Sequence, residues 1–210
     1  IIPEQFEGLG LSNRSYARVV EQTSYHDGAA TLTIAAHSSI GMKGVLLAGN
    51  EEQKKKYLPK LASGEMIAAF CLTESGSGSD AASIKTNAVK NKDGSWTLNG
   101  EKIWITNGAF ADFFTVFART ESEAGKITAF IVERSMPGFS SGKEEVKLGI
   151  KGSSTTELHF EDVKVPAENI LGDPGKGFKI AMEILNQGRL GLAAGCLGGA
   201  RMLYNLAMDH

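Results

Sequence analysis

A short apolar run near residue 70 leads into a loop of small, hydroxyl-bearing residues. The run, Met66 to Leu72, is uncharged and has the length of a buried strand. The loop that follows, Thr73 to Asp80, is rich in serine and contains Gly76 and Gly78. Glycines permit backbone conformations closed to other residues and let a ligand approach bare N–H groups. These residue types predict a binding site for a flat, anionic ligand.

The residues from Gly76 to Ala81 also satisfy the dinucleotide-binding pattern G-x-G-x-x-G/A. That pattern requires a helix directly after the glycines, which receives the pyrophosphate at its N-terminus. Here a strand-like stretch, residues 84–90, follows instead and ends in the turn dipeptide Asp93-Gly94. The context therefore argues against a dinucleotide site. A flexible Gly-Ser loop that binds nothing remains the alternative to a ligand-binding loop.

A second cluster of candidate residues lies one hairpin further along the chain. Residues 95–99 and 102–106 are predicted to be two short strands that flank Gly100. The second strand carries Trp104 and Thr106. An aromatic face with nearby hydroxyl donors suits a flavin, whose ring stacks on a wall and accepts hydrogen bonds at its edges. The alternative is a tryptophan that simply packs in a β-core.

The elements that must position these residues follow a clear order. Residues 10–63 show helical patterning, with an uninterrupted apolar helix predicted from Ala29 to Ala48 and a capping box at Asn50. Residues 66–165 contain short strands separated by turns, including a polar turn over residues 121–125. This pattern predicts an antiparallel sheet or barrel, and the β part of the chain is expected to end at Pro166. Two helices are predicted after Gly175, with the second from Arg189 to the end of the chain.

Composition excludes several classes of function. A net charge of −2 with interspersed signs does not indicate a nucleic-acid partner or a polybasic membrane contact. The two cysteines, Cys71 and Cys196, form neither a disulfide framework nor a metal site, and this favours a reducing compartment. The histidines lack metal-ligand spacing and are expected to pack or face solvent. Glu74 and Asp80 are expected to be structural acceptors that fix the loop.

The segment Cys71 to Ser83 resembles the signature of the acyl-CoA dehydrogenase family at every constrained position. Further stretches typical of that family follow in the expected order, at residues 98–108, 148–153 and 160–166. The resemblance covers essentially the whole chain and is strongest to the very-long-chain branch. It departs from the family pattern at Ser75, where the family commonly has proline.

The resemblance implies an α+β multidomain architecture. Residues 1–65 would be the latter part of an N-terminal α-helical domain, and residues 66–166 a middle antiparallel β-barrel or sheet domain. Residues 167–210 would begin a C-terminal helical bundle, most of which lies beyond this chain. The implied cofactor is FAD, bound between the β-domain and the bundle.

The resemblance also assigns roles to individual residues. Trp104 would cover one face of the flavin, and Thr106 would donate toward N5. The full set implied to bind the cofactor is Phe70, Leu72, Thr73, Gly78, Ser79, Trp104, Ile105 and Thr106. The set implied to contact acyl-CoA is Ser79, Asn186, Gln187, Gly188 and Arg189.

The implied reaction is α,β-desaturation of an acyl-CoA, in which a base removes the α-proton and flavin N5 accepts the β-hydride. Some subclasses place the glutamate base directly before an arginine that corresponds to Arg189. Gly188 stands at that position here, so the base is expected beyond His210. The implied partners are acyl-CoA, an electron-transfer flavoprotein and further copies of the chain in a homodimer or homotetramer, located in the bacterial cytoplasm or the mitochondrial matrix. An acyl-CoA oxidase and a non-catalytic assembly factor are the alternatives.

Overall fold

The computed structural model describes residues 1–121 and 126–210, so the predicted polar turn lies, from Ser122 on, outside the described residues. The α-helices are α1 (Asn13–His26), α2 (Gly28–Ala35), α3 (Lys43–Ala48), α4 (Glu51–Ser63) and α5 (Gly177–Met208). The strands are β1 (Ala68–Cys71), β2 (Asn87–Lys90), β3 (Trp96–Thr106), β4 (Phe113–Thr120), β5 (Lys126–Glu133), β6 (Phe139–Glu144), β7 (Thr155–Val165) and β8 (Ile170–Leu171).

Side-chain caps fix the starts of the N-terminal helices. The predicted capping box is confirmed at α4, where Asn50 accepts from the backbone N–H of Gln53 at 2.8 Å and the Gln53 side chain accepts from the Asn50 N–H at 2.9 Å. Asp27 is both the C-cap of α1 and the N-cap of α2, where its carboxylate accepts from the N–H groups of Ala29 and Ala30. Short polar side chains therefore separate α1 from α2 without a long loop.

The predicted continuous helix from Ala29 to Ala48 is interrupted by a π-helical segment, Ala36–Gly41. At Gly41 the helix lies so close to β1 that an added Cβ would come within 2.7 Å of the Ala68 Cβ. The hydroxyl of Thr115 on β4 donates to the Gly41 carbonyl at 3.1 Å, which satisfies a polar group that the irregular helix leaves available. Contact with the sheet thus accompanies the widened turn.

The described strands form one mixed sheet in the order β6-β7-β3-β2-β4-β5-β8, with β1 paired to β4. The predicted helical, β and helical order is confirmed, but the sheet is not purely antiparallel because β1 and β2 both run parallel to β4. Strand β8 pairs with β5, so the sheet continues beyond Pro166, where the sequence predicts its end.

Strand β3 corrects the prediction of two strands around Gly100. Residues Trp96–Thr106 form a single strand, and Gly100 adopts φ 145° within it. A Cβ at Gly100 would lie 2.7 Å from the Thr86 Cα, so glycine allows both the backbone conformation and the close approach of Thr86, the residue before β2. Pairing with β7 slips in register after Leu98 and again after Lys102.

Strand β4 separates two hydrophobic cores. Phe113 and Phe117 belong to the core beneath the helices, whereas Phe114 and Val116 belong to the core on the opposite side of the sheet. Because side chains alternate along a strand, this division places one core on each face of β4. All four residues are fully buried.

Helix α5 is a single helix, where the sequence predicts two. Its first residue, Gly177, lies so close to β5 that a Cβ there would come within 2.6 Å of the Ala129 nitrogen. Toward its end, Gly198 contacts α1, and a Cβ there would lie 2.0 Å from the Glu21 carbonyl oxygen. Close glycine contacts therefore fix α5 against both the sheet and the N-terminal helices. Within the described residues, no helix has the length and apolar character required to cross a membrane.

Candidate flavin and acyl-CoA site

A cavity of about 460 Å³ lies where the ends of β1 and β3 meet the Gly-Ser loop and α5. Every residue predicted to bind the flavin lines it: Phe70, Leu72, Thr73, Gly78, Ser79, Trp104, Ile105 and Thr106. Of the residues predicted to contact acyl-CoA, Ser79 and Arg189 line this cavity, and Gly188 lines an adjoining one. Asn186 and Gln187 are exposed on α5, and the Asn186 side chain accepts a hydrogen bond from Arg189 at 2.5 Å.

Three hydroxyl groups in the cavity wall have no hydrogen-bond partner among the described residues. They belong to Thr73, Ser79 and Thr106. Other hydroxyls nearby are bonded inside the protein: Ser77 donates to the Asp80 carbonyl at 2.6 Å, and Thr86 donates to the Glu101 carbonyl at 3.0 Å. The hydroxyls that face the cavity are therefore available to a ligand with acceptor groups.

Trp104 is an exposed indole held by an irregular backbone. Its side chain is 63% exposed, whereas Trp96 on the same strand is only 2% exposed and packs in the core. Trp104 has φ 56°, a left-handed conformation that is strained for a bulky residue. It lies in the register slip between Lys102 and Ile105. The β-core alternative thus applies to Trp96, while the backbone presents the Trp104 ring to the cavity.

The Gly-Ser loop differs in detail from the sequence expectation. Gly76 and Gly78 do not adopt positive φ, and a Cβ at either would meet no atom within 4 Å. The fold itself does not require these glycines, but Gly78 presents bare backbone to the cavity. Asp80 is a structural acceptor as predicted, and its carboxylate accepts from the Ser83 hydroxyl at 2.5 Å. A short 3₁₀ turn, Ala81–Ser83, follows, which agrees with rejection of a dinucleotide fold.

An ion pair is buried behind this wall. Lys102 is 0% exposed, and its Nζ donates to Glu74 Oε1 at 2.7 Å. Glu74 also accepts from the backbone N–H groups of Lys85 at 2.5 Å and Thr86 at 3.0 Å, which confirms its structural role. Burial raises the pKa of Glu74, but the Lys102 ammonium and these donors outweigh burial and bring its pKa below the usual range. Glu74 is therefore a carboxylate at neutral pH.

Apart from Arg189, sequence reasoning missed the helical half of the cavity. Phe178, Met182 and Leu185 on α5 line it, and Ala36 and Ile40 contribute from the π-helical segment. The α5 residues recur with Arg189 at helical spacing and form one stripe, which is a signal present in the sequence. The contribution of the π-helical segment leaves no such pattern.

The main cavity adjoins one apolar cavity, which in turn adjoins a second. The first, of about 340 Å³, shares Ile40, Thr106 and Leu185 with the main cavity. The second, of about 250 Å³, shares Leu32, Ala35 and Leu192 with the first. The series follows α5 from Leu185 to Gly199, a length of about 21 Å at the rise of an α-helix. The cavity that contains the three free hydroxyls is thus continued along α5 by a row of apolar cavities.

The position of Gly188 leaves little room for a side chain. A Cβ there would lie 2.8 Å from Ile40 Cγ2. A carboxylate at this position would have to displace Ile40, which lines both the main cavity and the first apolar cavity. The geometry agrees with the absence of a base at residue 188.

Solved structures of one class share this fold. Butyryl-CoA dehydrogenase from Megasphaera elsdenii superposes with a TM-score of 0.96 at 46% sequence identity, over 99% of this chain and 56% of that one. An acyl-CoA dehydrogenase from Bacillus anthracis, described as complexed with FAD, superposes with a TM-score of 0.90 at 50% identity, over 94% of this chain and 33% of that one. The fold is that of the acyl-CoA dehydrogenases.

Family comparison gives the same assignment. Residues 1–65 match the acyl-CoA dehydrogenase N-terminal domain, and residues 69–163 match the acyl-CoA dehydrogenase middle domain. The chain belongs to the acyl-CoA dehydrogenase family. It is similar over its whole length to the human mitochondrial very long-chain specific acyl-CoA dehydrogenase, at 54% identity over 217 residues, and spans 33% of that protein.

Proposed function

We propose that the protein containing this chain is an FAD-dependent acyl-CoA dehydrogenase that desaturates long-chain acyl-CoA between Cα and Cβ. The observation that carries the proposal is the convergence of three unpartnered hydroxyls and the exposed Trp104 ring on one cavity. These groups match what a flavin needs, namely a stacking surface and hydrogen-bond donors at the ring edge and phosphates.

The residues of the chain fit this cofactor. Thr73 and Thr106 hold hydroxyl donors at the ends of two neighbouring strand segments, and Trp104 covers one side of the cavity. Ser79 and the bare backbone of Gly78 lie at the loop, where a phosphate can approach closely. FAD, when bound, supplies the acceptor for the β-hydride. We propose that the base for the α-proton lies beyond His210, because residue 188, where some subclasses carry it, is a glycine here.

The proposed chain-length preference rests on the apolar cavities. Their shared walls are formed by Leu32, Ala35 and Leu192, and an aliphatic chain that leaves the main cavity beside Thr106 would be buried along α5. Burial of each methylene contributes about 0.8 kcal/mol, so a longer acyl chain would bind more tightly along these apolar cavities. The electron acceptor is proposed to be an electron-transfer flavoprotein, and the protein is proposed to act as a homo-oligomer in the bacterial cytoplasm or mitochondrial matrix.

The test is the visible spectrum of the purified full-length protein under anaerobic conditions, before and after addition of a long-chain acyl-CoA. A flavin band that bleaches on addition would support the cofactor, the substrate class and a downstream base together. A band that stays unbleached at every chain length would favour the assembly-factor alternative. Reoxidation of the bleached protein by oxygen as fast as by an electron-transfer flavoprotein would instead indicate an oxidase. Absence of a flavin band after reconstitution with FAD would contradict the proposal.

A further inference from the structure

Lys102 contacts the chain on both sides of a cavity residue. Its buried Nζ donates to the Leu72 carbonyl at 3.1 Å and to Glu74 Oε1 at 2.7 Å. Leu72 and Glu74 immediately flank Thr73, whose hydroxyl faces the cavity without a partner of its own among the described residues. The position of that hydroxyl therefore depends on its backbone, and Lys102 holds the backbone of one neighbour, Leu72, and the side chain of the other, Glu74.

Glu74 extends the same connection to the Gly-Ser loop. The loop leaves the sheet at Glu74 and returns at Lys85 and Thr86, and the Glu74 carboxylate accepts both returning N–H groups. The loop is thus closed at its base by one side chain. Between these ends lie Gly78 and Ser79, which line the cavity.

On β3 the anchor lies directly before the irregular backbone. The pairing of β3 with β7 is regular at Lys102, opposite Leu158, and resumes at Ile105 after the slip that contains Trp104. Fixing Lys102 therefore fixes the start of the slip and the direction in which Trp104 leaves the strand. One ion pair connects all three segments that carry cavity residues of the β-domain.

A buried ion pair is costly to desolvate and is often replaceable by apolar residues without loss of stability. The contribution of this ion pair is therefore to position the residues around it. We infer that Glu74 and Lys102 are positioning residues, which set Thr73, the Ser79 loop and Trp104 in the relative arrangement that binds the flavin. The inference rests on the proposed flavin site and adds to it two residues that do not touch the cavity.

The test compares four forms of the full-length protein: wild type, Lys102→Met, the double variant Glu74→Gln with Lys102→Met, and Leu98→Ala. Leu98 is fully buried on the same strand and does not line the cavity, so its truncation is a control for lost stability. For each, the dissociation constant of FAD, the visible circular dichroism of the bound flavin and the urea midpoint are measured.

Lys102→Met is expected to weaken FAD binding at least tenfold and to change the flavin circular dichroism. The double variant leaves no unpaired buried charge, so it is expected to regain most of the urea midpoint but not the FAD affinity. Leu98→Ala is expected to lower the midpoint while its FAD dissociation constant stays within about twofold of wild type. An FAD affinity that follows the urea midpoint across all four forms would overturn the inference.

A measurement without flavin separates this inference from the proposed function. In the apo-protein, Lys102→Met is expected to speed hydrogen exchange at the amides of Lys85 and Thr86 at least tenfold, whereas Leu98→Ala is expected to leave their exchange unchanged relative to other β-domain amides. Unchanged exchange in Lys102→Met would overturn the positioning role. Wild-type protein that binds no FAD would contradict the proposed function, and the exchange result would still decide whether the pair orders the loop.

Discussion

The backbone N–H of Ile103 donates to the carbonyl of Thr73 at 3.0 Å. This bond joins the segment after β1 to β3, although the two residues lie thirty positions apart in the chain. Because Trp104 follows Ile103, the bond brings the hydroxyl of Thr73 and the indole of Trp104 to the same cavity. The two motifs that stand apart in the sequence form one site through this contact.

Thr106→Val should weaken flavin binding without a cost in stability. The Thr106 hydroxyl faces the cavity and has no partner among the described residues, so its loss leaves no group unsatisfied inside the protein. Loss of one hydrogen bond to the ligand predicts a decrease in FAD affinity of about 1 kcal/mol, roughly fivefold. Titration of the apo-protein with FAD, followed by flavin fluorescence, checks the affinity.

The matched control is Thr115→Val. The Thr115 hydroxyl is buried and donates to the Gly41 carbonyl at 3.1 Å, so its removal should cost about 1–3 kcal/mol of unfolding free energy. Thr115 does not line the cavity, and FAD affinity should stay near the wild-type value. The assignment of Thr106 would be wrong if its valine variant lost stability like Thr115→Val and kept its FAD affinity.

Much of the site could be predicted because its chemistry is concentrated in two local motifs. All the residues that the resemblance assigns to the flavin, from Phe70 to Ser79 and from Trp104 to Thr106, line one cavity, whereas Gly76 in the same loop does not. The resemblance of these motifs to a family supplied the roles, while residue types alone left a core tryptophan and a flexible loop open. Trp96 shows why, since composition does not distinguish it from Trp104.

The errors arise where tertiary contacts override local pattern. Gly100 resembles a turn residue, yet it continues β3 because Thr86 packs where a Cβ would stand. The π-helical segment ends at Gly41, where contact with Ala68 on β1 excludes a side chain. Neither partner is near in sequence, so neither deviation could be derived from the local residues.

The imidazole of His37 predicts a loss of stability in mild acid. Its Nδ1 accepts from the Ala68 N–H at 2.9 Å, so the ring is neutral with its proton on Nε2, which donates to the Leu61 carbonyl at 3.0 Å. Burial lowers the pKa of His37 from its usual 6.5. The folded state then takes up the proton less readily than the unfolded state, so stability is full above pH 6.5 and falls as the pH drops through the folded-state pKa.

Urea denaturation at several pH values between 5 and 8 checks this expectation. His37→Gln is the comparison, because glutamine does not titrate. The free energy of unfolding of wild type should decline more steeply below pH 6.5 than that of the variant. Parallel pH profiles for the two proteins would show that His37 does not contribute to the acid sensitivity.

Two neighbouring glycines of α5 should respond in opposite ways to alanine. Gly198→Ala places a Cβ 2.0 Å from the Glu21 carbonyl oxygen, which forces α1 and α5 apart and should cost about 1–3 kcal/mol or more. At Gly199 the nearest atom would be the Ser24 hydroxyl at 3.9 Å, so alanine fits and should stabilise the helix by about 0.5–1 kcal/mol. Urea denaturation of both variants measures the difference, and equal effects at the two positions would contradict the close α1–α5 contact.

Ala35→Leu should shorten the range of acyl chains that the full-length enzyme accepts. Ala35 lines both apolar cavities but not the main one, so a larger side chain should block the groove beyond the reacting carbons. The expected result is a loss of at least tenfold in kcat/KM for long-chain acyl-CoA, about 1.4 kcal/mol, with short-chain turnover within about twofold of wild type. Dye-coupled assays across chain lengths give the profile.

Ala30→Leu, an exposed substitution on the same helix that borders none of the three cavities, is the control. A uniform loss at every chain length in Ala35→Leu, or an equal effect of Ala30→Leu, would contradict the placement of the acyl chain along α5.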